Sequence, residues 1–173
     1  MHMMRKATAS LLLAALIVLM IPGLTGCKKA PNDWYRETLE YYRSGVNHGF
    51  STSYGNLPVS EELKDTNNKI GYLLIDLDKD GTEELLLGLI DDGPDTKFTS
   101  LIVAHSNLGP YCLLSGSKDA HIYLCADNVI MMESVRGLTK ERKYMKWNSK
   151  SNAFDNIDGE DKYLGKKWDL TPF

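Results

Sequence analysis

The sequence predicts an α+β domain in which an N-terminal helix packs on a single twisted antiparallel β-meander. Two observations support this fold class. Apolar residues recur at helical spacing shortly after Asp33, and short apolar runs alternate with turn residues from Lys69 onward. The chain has no strand–helix–strand alternation, which disfavours a doubly wound nucleotide-binding fold. We therefore expect one α+β domain over residues 33–173.

Composition and charge narrow the class of partner. Hydrophobic residues make up 43% of the chain and charged residues 25%, values that are typical of a globular domain. All 23 acidic residues follow residue 26, whereas two of the 20 basic residues, Arg5 and Lys6, precede it. The remaining chain is therefore acidic, which argues against a nucleic-acid partner.

Residues 1–26 have the three-part layout of a secretory signal. Arg5 and Lys6 supply positive charge, an uncharged apolar run extends from Leu11 to Ile21, and a stretch of small residues ends at Gly26. At the helical rise of about 1.5 Å per residue, this run is too short for a permanent membrane span. The segment is therefore predicted to be a removable export signal.

The motif Leu24-Thr25-Gly26-Cys27 resembles the lipobox of bacterial lipoproteins. This resemblance implies cleavage before Cys27 and a diacylglycerol on its thiol, with residues 27–32 as a polar tether. The protein would then be attached to the cell membrane by lipid and would face the extracytoplasmic side. The alternative is an ordinary secretory peptide in which Cys27 has no role.

The first predicted element after the tether is a helix that starts near Asp33, which can cap its N-terminus. Gly45 or Gly49 can end this helix. A short helical turn is also predicted at 60–64, with Ser60 as its cap. We interpret the aromatic face of the first helix as core packing. That face is formed by Tyr35, Leu39, Tyr42 and Val46.

Seven strands are predicted between residues 70 and 147, separated by turns rich in Gly, Asp, Asn and Pro. The charged run 140–144 is typical of an exposed strand near a sheet edge. Pro172 is expected to end any regular structure at the C-terminus. The predicted strands are Ile70–Ile75, Glu84–Ile90, Phe98–His105, Tyr111–Leu114, His121–Cys125, Asn128–Glu133 and Lys140–Trp147.

One loop between two of these strands predicts a metal site. Oxygen-bearing residues occupy its positions 1, 3, 5, 7 and 9, and Gly81 at position 6 permits a sharp bend. Four carboxylates and one carbonyl suit Ca²⁺, a hard cation that takes roughly 6–8 oxygen ligands. The predicted ligands are the carboxylates of Asp76, Asp78, Asp80 and Glu84 and the backbone carbonyl of Thr82.

The loop departs from an EF-hand, because position 12 is Leu87 where an EF-hand needs a bidentate Glu. Its flanks also have the composition of buried strands rather than helices. The pattern resembles instead the Asp-x-Asp-x-Asp-Gly-x-x-Asp hairpin loops of integrin-type FG-GAP repeats, with Glu84 in place of the usual final Asp. This resemblance implies a calcium-loop β-hairpin over residues 71–90.

The stretch from Tyr72 to Leu85 reads Tyr-x-Leu-x-Asp-x-Asp-x-Asp-Gly-x-x-Glu-Leu. It resembles a unit of small clostridial surface lipoproteins, in which the hairpin follows an N-terminal helix and precedes a β-meander. The similarity is close over 71–90 and loose over 33–147. It implies a lipid-anchored surface protein of this architecture, and it implies no particular activity.

An acidic turn without an ion is the alternative to the calcium site, because Asp, Lys and Gly are common turn residues. Three converging aspartates would then repel one another, which favours the ion. We expect a dissociation constant on the order of 10⁻⁴–10⁻³ M, as in extracellular modules. Calcium is therefore expected to act as a structural clip.

Cys112 and Cys125 lie on two neighbouring predicted strands. If these strands pair so that the two residues face each other, export would permit a disulfide between them. Alternatively, both remain free thiols packed among apolar residues. The sequence alone leaves the strand register open.

No catalytic residue is assigned, because the sequence contains no His-x-x-x-His, Cys-x-x-Cys, Gly-x-Ser-x-Gly or phosphate-loop motif. The favoured hypothesis is a non-catalytic, membrane-anchored lipoprotein that binds an unknown extracellular protein or polysaccharide. A small secreted hydrolase or hydrolase accessory domain is one alternative. An inhibitor or immunity-type partner of another exported protein is a second alternative.

Overall fold

The structure is a computed structural model that describes residues 31–51, 54–105, 109–158 and 163–173. The predicted export signal and Cys27 lie outside these residues. In the described part of the chain, no helix is both long and apolar enough to cross a membrane. The helices are α1 (Pro31–Trp34), α2 (Arg36–His48) and α3 (Glu61–Lys64); the strands are β1 (Ile70–Ile75), β2 (Glu84–Leu89), β3 (Lys97–His105), β4 (Gly109–Ser115), β5 (Ala120–Leu124), β6 (Ile130–Arg136), β7 (Thr139–Asn148), β8 (Ala153–Ile157) and β9 (Thr171–Pro172).

One antiparallel sheet contains the nine described strands, which confirms the predicted α+β class. Its order is β8-β7-β6-β5-β3-β2-β1-β9, and β4 pairs with β3 off this path. The seven predicted strands correspond to β1 through β7, and every end agrees within three residues. The sequence patterns therefore located most of the sheet.

The two outermost strands of the sheet were not predicted. Strand β8 pairs with β7 across a short turn, and β9 pairs with the outer side of β1, where Pro172 lies opposite Gly71. Strand β9 ends at Pro172, as expected, although the proline itself takes part in the pairing. Proline is tolerated here because β9 is an edge strand, so its missing N–H removes no inner ladder bond.

Helix α2 follows the predicted apolar stripe. Tyr35 and Tyr42 are buried at 1% and 0% exposure. The predicted cap is wrong, because Asp33 lies in α1 and the residue before α2 is Tyr35, which makes no side-chain capping bond. The helix ends as predicted at Gly49, which has a φ of 89° and donates to the Gly45 carbonyl at 2.8 Å. The Ser60 cap of α3 is confirmed by its bond from the Leu63 amide.

The sheet is covered on both faces in its middle. Leu85 and Leu87 of β2 point toward the helices, where they join a cluster with Tyr35, Tyr42 and other apolar residues. Leu86 points to the opposite face and joins a second cluster that contains residues from β3, β5, β6 and β7. The far half of the sheet therefore packs onto the face that the helices leave uncovered.

Strand β3 interrupts the predicted meander. Its first residues, Lys97 and Phe98, pair with β5, whereas its later part, from Ser100 to His105, pairs with β4. Strands β4 and β5 therefore share one edge of β3 instead of pairing with each other. Gly116 connects them at the branch, where an added Cβ would lie 3.1 Å from the Ala120 carbonyl oxygen.

This branch settles the open question about the cysteines. Strands β4 and β5 do not pair, so Cys112 does not face Cys125, and both are free thiols. The disulfide alternative is therefore wrong, and the packed-thiol alternative is correct. Burial raises the pKa of each thiol to about 11, although backbone hydrogen bonds oppose that rise at Cys112.

The charged run in β7 lies at a sheet edge, as predicted. Strand β8 pairs only with the second half of β7, from Tyr144 onward, and the side chains from Thr139 to Lys143 are exposed. On the neighbouring strand, Glu133 is 5% exposed and receives hydrogen bonds from Lys140 and Arg142 at 3.1 and 3.0 Å. These bonds satisfy the buried carboxylate.

Candidate metal centre

The β1–β2 hairpin positions the acidic loop. Ile75 lies opposite Glu84 in the ladder, and Leu74 lies opposite Leu85, so residues 76–83 form the connection. Leu85 is fully buried, and β2 has partners on both sides. The C-terminal end of the loop is therefore held by the buried strand β2.

The loop brings three of the predicted ligands together. Asp76, Asp78 and Asp80 each offer a carboxylate oxygen, and these oxygens all lie within 4.8 Å of one another. In the described part of the chain, no ion pair involves any of the three aspartates. The cluster can therefore hold a metal ion, because a cation among these oxygens would balance charges that have no basic partner.

The backbone of the loop is shaped by its own carboxylates. The oxygens of Asp76 accept hydrogen bonds from the amides of Asp80 (3.1 Å) and Gly81 (2.9 Å). Asp80 Oδ1 accepts from the amide of Thr82 at 2.7 Å. Gly81 has a φ of 89°, which is the left-handed conformation that its position predicted. These bonds close the turn and hold the carboxylates in place.

Asp78 has an unsatisfied oxygen. Its Oδ2 accepts a hydrogen bond from the Ser149 amide at 2.7 Å, whereas its Oδ1 is buried without a partner among the described residues. Partial burial acts to raise the pKa of Asp78. Hydrogen bonds from Ser149 and from nearby backbone amides outweigh this effect, so the pKa is lowered. A buried, ionised oxygen without a donor is costly unless a cation approaches it.

Glu84 takes a different position from the three aspartates. It is 3% exposed, and its Oε2 accepts a hydrogen bond from the Leu77 amide at 2.8 Å. It does not belong to the group of oxygens within 4.8 Å. Burial raises the pKa of Glu84 to about 7, and the charges of the three aspartates add to that rise while the Leu77 amide opposes it.

Two residues that are distant in sequence brace the loop, and neither was predicted. The Asn128 amide nitrogen donates to the carbonyls of Asp76 (3.1 Å) and Leu77 (3.0 Å). The Ser149 amide, in the β7–β8 turn, binds Asp78. Both contacts are long-range, at 52 and 71 residues of separation. No local sequence pattern signals them, because they depend on how the sheet packs onto itself.

Two open cavities flank the loop. One, of about 410 Å³, lies between the loop, β3, β4 and the β7–β8 turn. The other, of about 830 Å³, lies between the loop and the β7–β8 hairpin. Asp80, Trp147 and Lys150 line both cavities. The candidate metal centre is therefore next to space that a ligand can enter.

Comparison with known proteins does not assign this chain to a family. No protein-family model, curated protein or solved structure matches the chain significantly. The resemblances to FG-GAP loops and to clostridial lipoproteins therefore rest on the residues of the sequence alone. What the structure itself supports is an acidic cluster on a β-hairpin that can bind a metal ion.

Proposed function

We propose that this protein is a non-catalytic lipoprotein, anchored outside the cytoplasm, whose β1–β2 hairpin is clipped by a structural calcium ion. In this proposal the folded domain binds an extracellular protein or polysaccharide. The main support for a bound ion is the buried Oδ1 of Asp78, which has no hydrogen-bond partner among the described residues and lies beside the carboxylates of Asp76 and Asp80. A set of oxygen ligands without nitrogen or sulfur is the chemistry that calcium prefers.

The proposed ion has a modest effect on stability. Calcium at ten times its dissociation constant would add about 1.4 kcal/mol to the free energy of unfolding. It would also relieve the repulsion among three carboxylates on one turn. Magnesium should bind less well, because it demands near-ideal octahedral geometry and loses water reluctantly.

A thermal-unfolding titration tests the ion site. We expect millimolar calcium to raise the melting temperature of the purified protein and magnesium to raise it less. Asp78→Asn should abolish the calcium shift. Asp91→Asn is the matched control, because Asp91 lies in the next acidic loop and already pairs with Lys167. An equal shift with both metals, or an unchanged shift in Asp78→Asn, would count against the site.

The lipid anchor is proposed from the lipobox residues alone, and it has its own test. Cys27→Ala should block maturation or release the protein from membranes into the aqueous phase of a detergent partition. A variant that still enters the detergent phase would refute lipidation at Cys27. This result would leave the metal site untouched, because the two proposals rest on separate segments.

A secreted hydrolase is the second candidate, and one observation favours it. Glu84 lines the smaller cavity, and burial raises its pKa to about 7, a property of many general acids. Against it, the Leu77 amide already occupies one oxygen of this carboxyl group. Release of product from fluorogenic glycosides or esters, lost in Glu84→Gln, would favour the hydrolase over the binding protein.

A further inference from the structure

The smaller cavity, which we name the loop cleft, is built from distant parts of the chain. Its lining comes from the acidic loop, from β3 and β4, from the β7–β8 turn and from Trp34 before α2. Its volume of about 410 Å³ falls within the range of roughly 300–1,000 Å³ that small-molecule sites occupy. A cleft with this many separate contributors is fixed by the fold rather than by one mobile loop.

Aromatic side chains form one part of the loop cleft. Trp34 and Tyr111 are half-buried, and Trp147 is 5% exposed. Phe154 packs edge-on against Trp147, with ring centroids 5.5 Å apart. Aromatic rings offer flat apolar surface at little cost in conformational entropy.

Hydrogen-bonding groups of both kinds form the rest of the lining. Asp80 and Glu84 contribute carboxyl groups, and Lys150 contributes a cationic donor. Asn152 accepts a hydrogen bond from the Tyr111 hydroxyl through its Oδ1, which fixes the side-chain amide and leaves Nδ2 as a donor. A ligand must therefore accept and donate hydrogen bonds and also present an apolar face to the rings.

A saccharide has these properties together. Each hydroxyl group both donates and accepts, and the C–H face of a pyranose ring packs on aromatic side chains. A cationic peptide fits less well once calcium balances the charge of the acidic loop, because ammonium groups only donate hydrogen bonds and Lys150 would repel them. A purely apolar ligand would leave the carboxylate and the lysine without partners.

The loop cleft also shares residues with the metal centre. Asp80 and Thr82 belong both to the acidic loop and to the cleft lining. Glu84, the expected last ligand, is held by the Leu77 amide and is not among the gathered oxygens. With one oxygen from each aspartate and the expected Thr82 carbonyl, the loop supplies four of the roughly 6–8 oxygens that calcium takes. Water or a ligand must supply the remainder.

We propose that the loop cleft binds a saccharide whose adjacent hydroxyls complete the coordination of the calcium ion held by the acidic loop. This inference rests on the proposed calcium site and specifies the polysaccharide-type ligand of the proposed function. Saccharide binding then depends on calcium, and calcium binds more tightly when the saccharide is present, because the two binding free energies are linked.

Calorimetry and tryptophan fluorescence with a panel of three sugars test the proposal. The probes are cellotriose, maltotriose and N-acetylated chitotriose, each titrated into the purified protein in calcium and again in excess EGTA. We expect at least one trisaccharide to bind in calcium and to lose at least tenfold in affinity in EGTA. Tyr111→Ala and Asn152→Ala should each weaken binding about tenfold, which corresponds to one lost contact.

Controls separate the cleft from the ion. Tyr54→Ala removes an aromatic residue that is 39% exposed and lies outside the cleft lining, so it should bind the sugar normally. If calcium shifts the melting temperature but no trisaccharide binds, the saccharide proposal is overturned and the ion site stands. Sugar binding whose affinity is unchanged in EGTA or in Tyr111→Ala also overturns it. Oligolysine binding that is lost in Tyr111→Ala would assign the cleft to a cationic peptide instead.

Discussion

Two acidic loops follow one another in this protein, and they balance their charge differently. The β1–β2 loop gathers Asp76, Asp78 and Asp80 around a common point, and none of them has a basic partner in the described part of the chain. In the β2–β3 loop, Asp91 accepts from the Gly93 amide and pairs with Lys167. In the first loop, the carboxylates lie at every second position and converge. In the second loop, a lysine from the C-terminal segment balances the charge of Asp91.

The two loops also differ in how the rest of the fold holds them. The first is braced by Asn128 and by the Ser149 amide, which bind its backbone and one of its carboxylates. The second is braced by hydrogen bonds between Thr96 and Trp168. An acidic turn sequence alone therefore does not define a metal site. What distinguishes the first loop is convergent spacing of carboxylates that, among the described residues, form no ion pair.

The largest expected effect is a pH dependence that comes from Glu84, at the end of the first loop. Because the pKa of Glu84 is raised from 4.5 to about 7, the folded state binds a proton more tightly than the unfolded state. Without calcium, the free energy of unfolding should fall by about 2–3 kcal/mol as pH rises from 4.5 to 7. Glu84→Gln should flatten this slope in urea unfolding, and Asp91→Asn should retain it. An unchanged slope in Glu84→Gln would contradict the assignment.

The second largest effect should come from removing the hydrogen bonds that hold each loop to the rest of the fold. Asn128→Gly keeps the left-handed backbone at φ 56° but removes two hydrogen bonds, so we expect a loss of about 2 kcal/mol. Thr96→Val, at a buried position in the second loop, should cost about 1–2 kcal/mol. Only Asn128→Gly should also reduce the calcium-induced thermal shift. Equal loss of that shift in both variants would show that the loops do not differ.

Substitution of a glycine by alanine should lower stability more in the first loop than in the second. An added Cβ at Gly81 meets nothing within 4 Å, but its φ of 89° is unfavourable for alanine. Gly81→Ala should therefore cost about 1 kcal/mol in chemical unfolding, through backbone strain. Gly93 has no positive φ, and its added Cβ would lie 3.1 Å from Asp91 Oδ1. Gly93→Ala should cost less, and the reverse order would contradict this account.

The smallest effects should come from the lysines. Lys167 and Asp91 are 45% and 37% exposed, so Lys167→Ala should cost less than about 1 kcal/mol, and salt should reduce the effect. Lys79 makes no ion pair in the described residues and lies between two of the loop aspartates. Lys79→Ala should leave stability unchanged and tighten calcium binding a few-fold. Weaker calcium binding in Lys79→Ala would speak against an ion in this loop.

Local patterns in the sequence were enough to locate the elements that depend on neighbouring residues. The β1–β2 hairpin, the glycine bend and the converging aspartates all follow from spacing within one turn. The first helix was found because its apolar face repeats every three or four residues. Strand β8 was missed because it is mostly exposed and polar, with no apolar alternation to reveal it.

Features that depend on distant contacts could not be read from the sequence. The branch at β3 arises because β4 and β5 compete for one edge, and local composition does not encode that choice. The braces from Asn128 and Ser149 appear only when the sheet packs onto itself. Glu84 points inward because the hairpin register places it on a buried part of β2, and the sequence does not show that burial.

Anomalous scattering from crystals of the purified protein grown in calcium would show directly whether the β1–β2 loop holds the ion. We expect one strong peak in the β1–β2 loop, with oxygens of Asp76, Asp78 and Asp80 at about 2.3–2.6 Å from it. The β2–β3 loop should show no such peak. An empty first loop in saturating calcium, or a calcium ion beside Asp91 instead, would contradict this expectation.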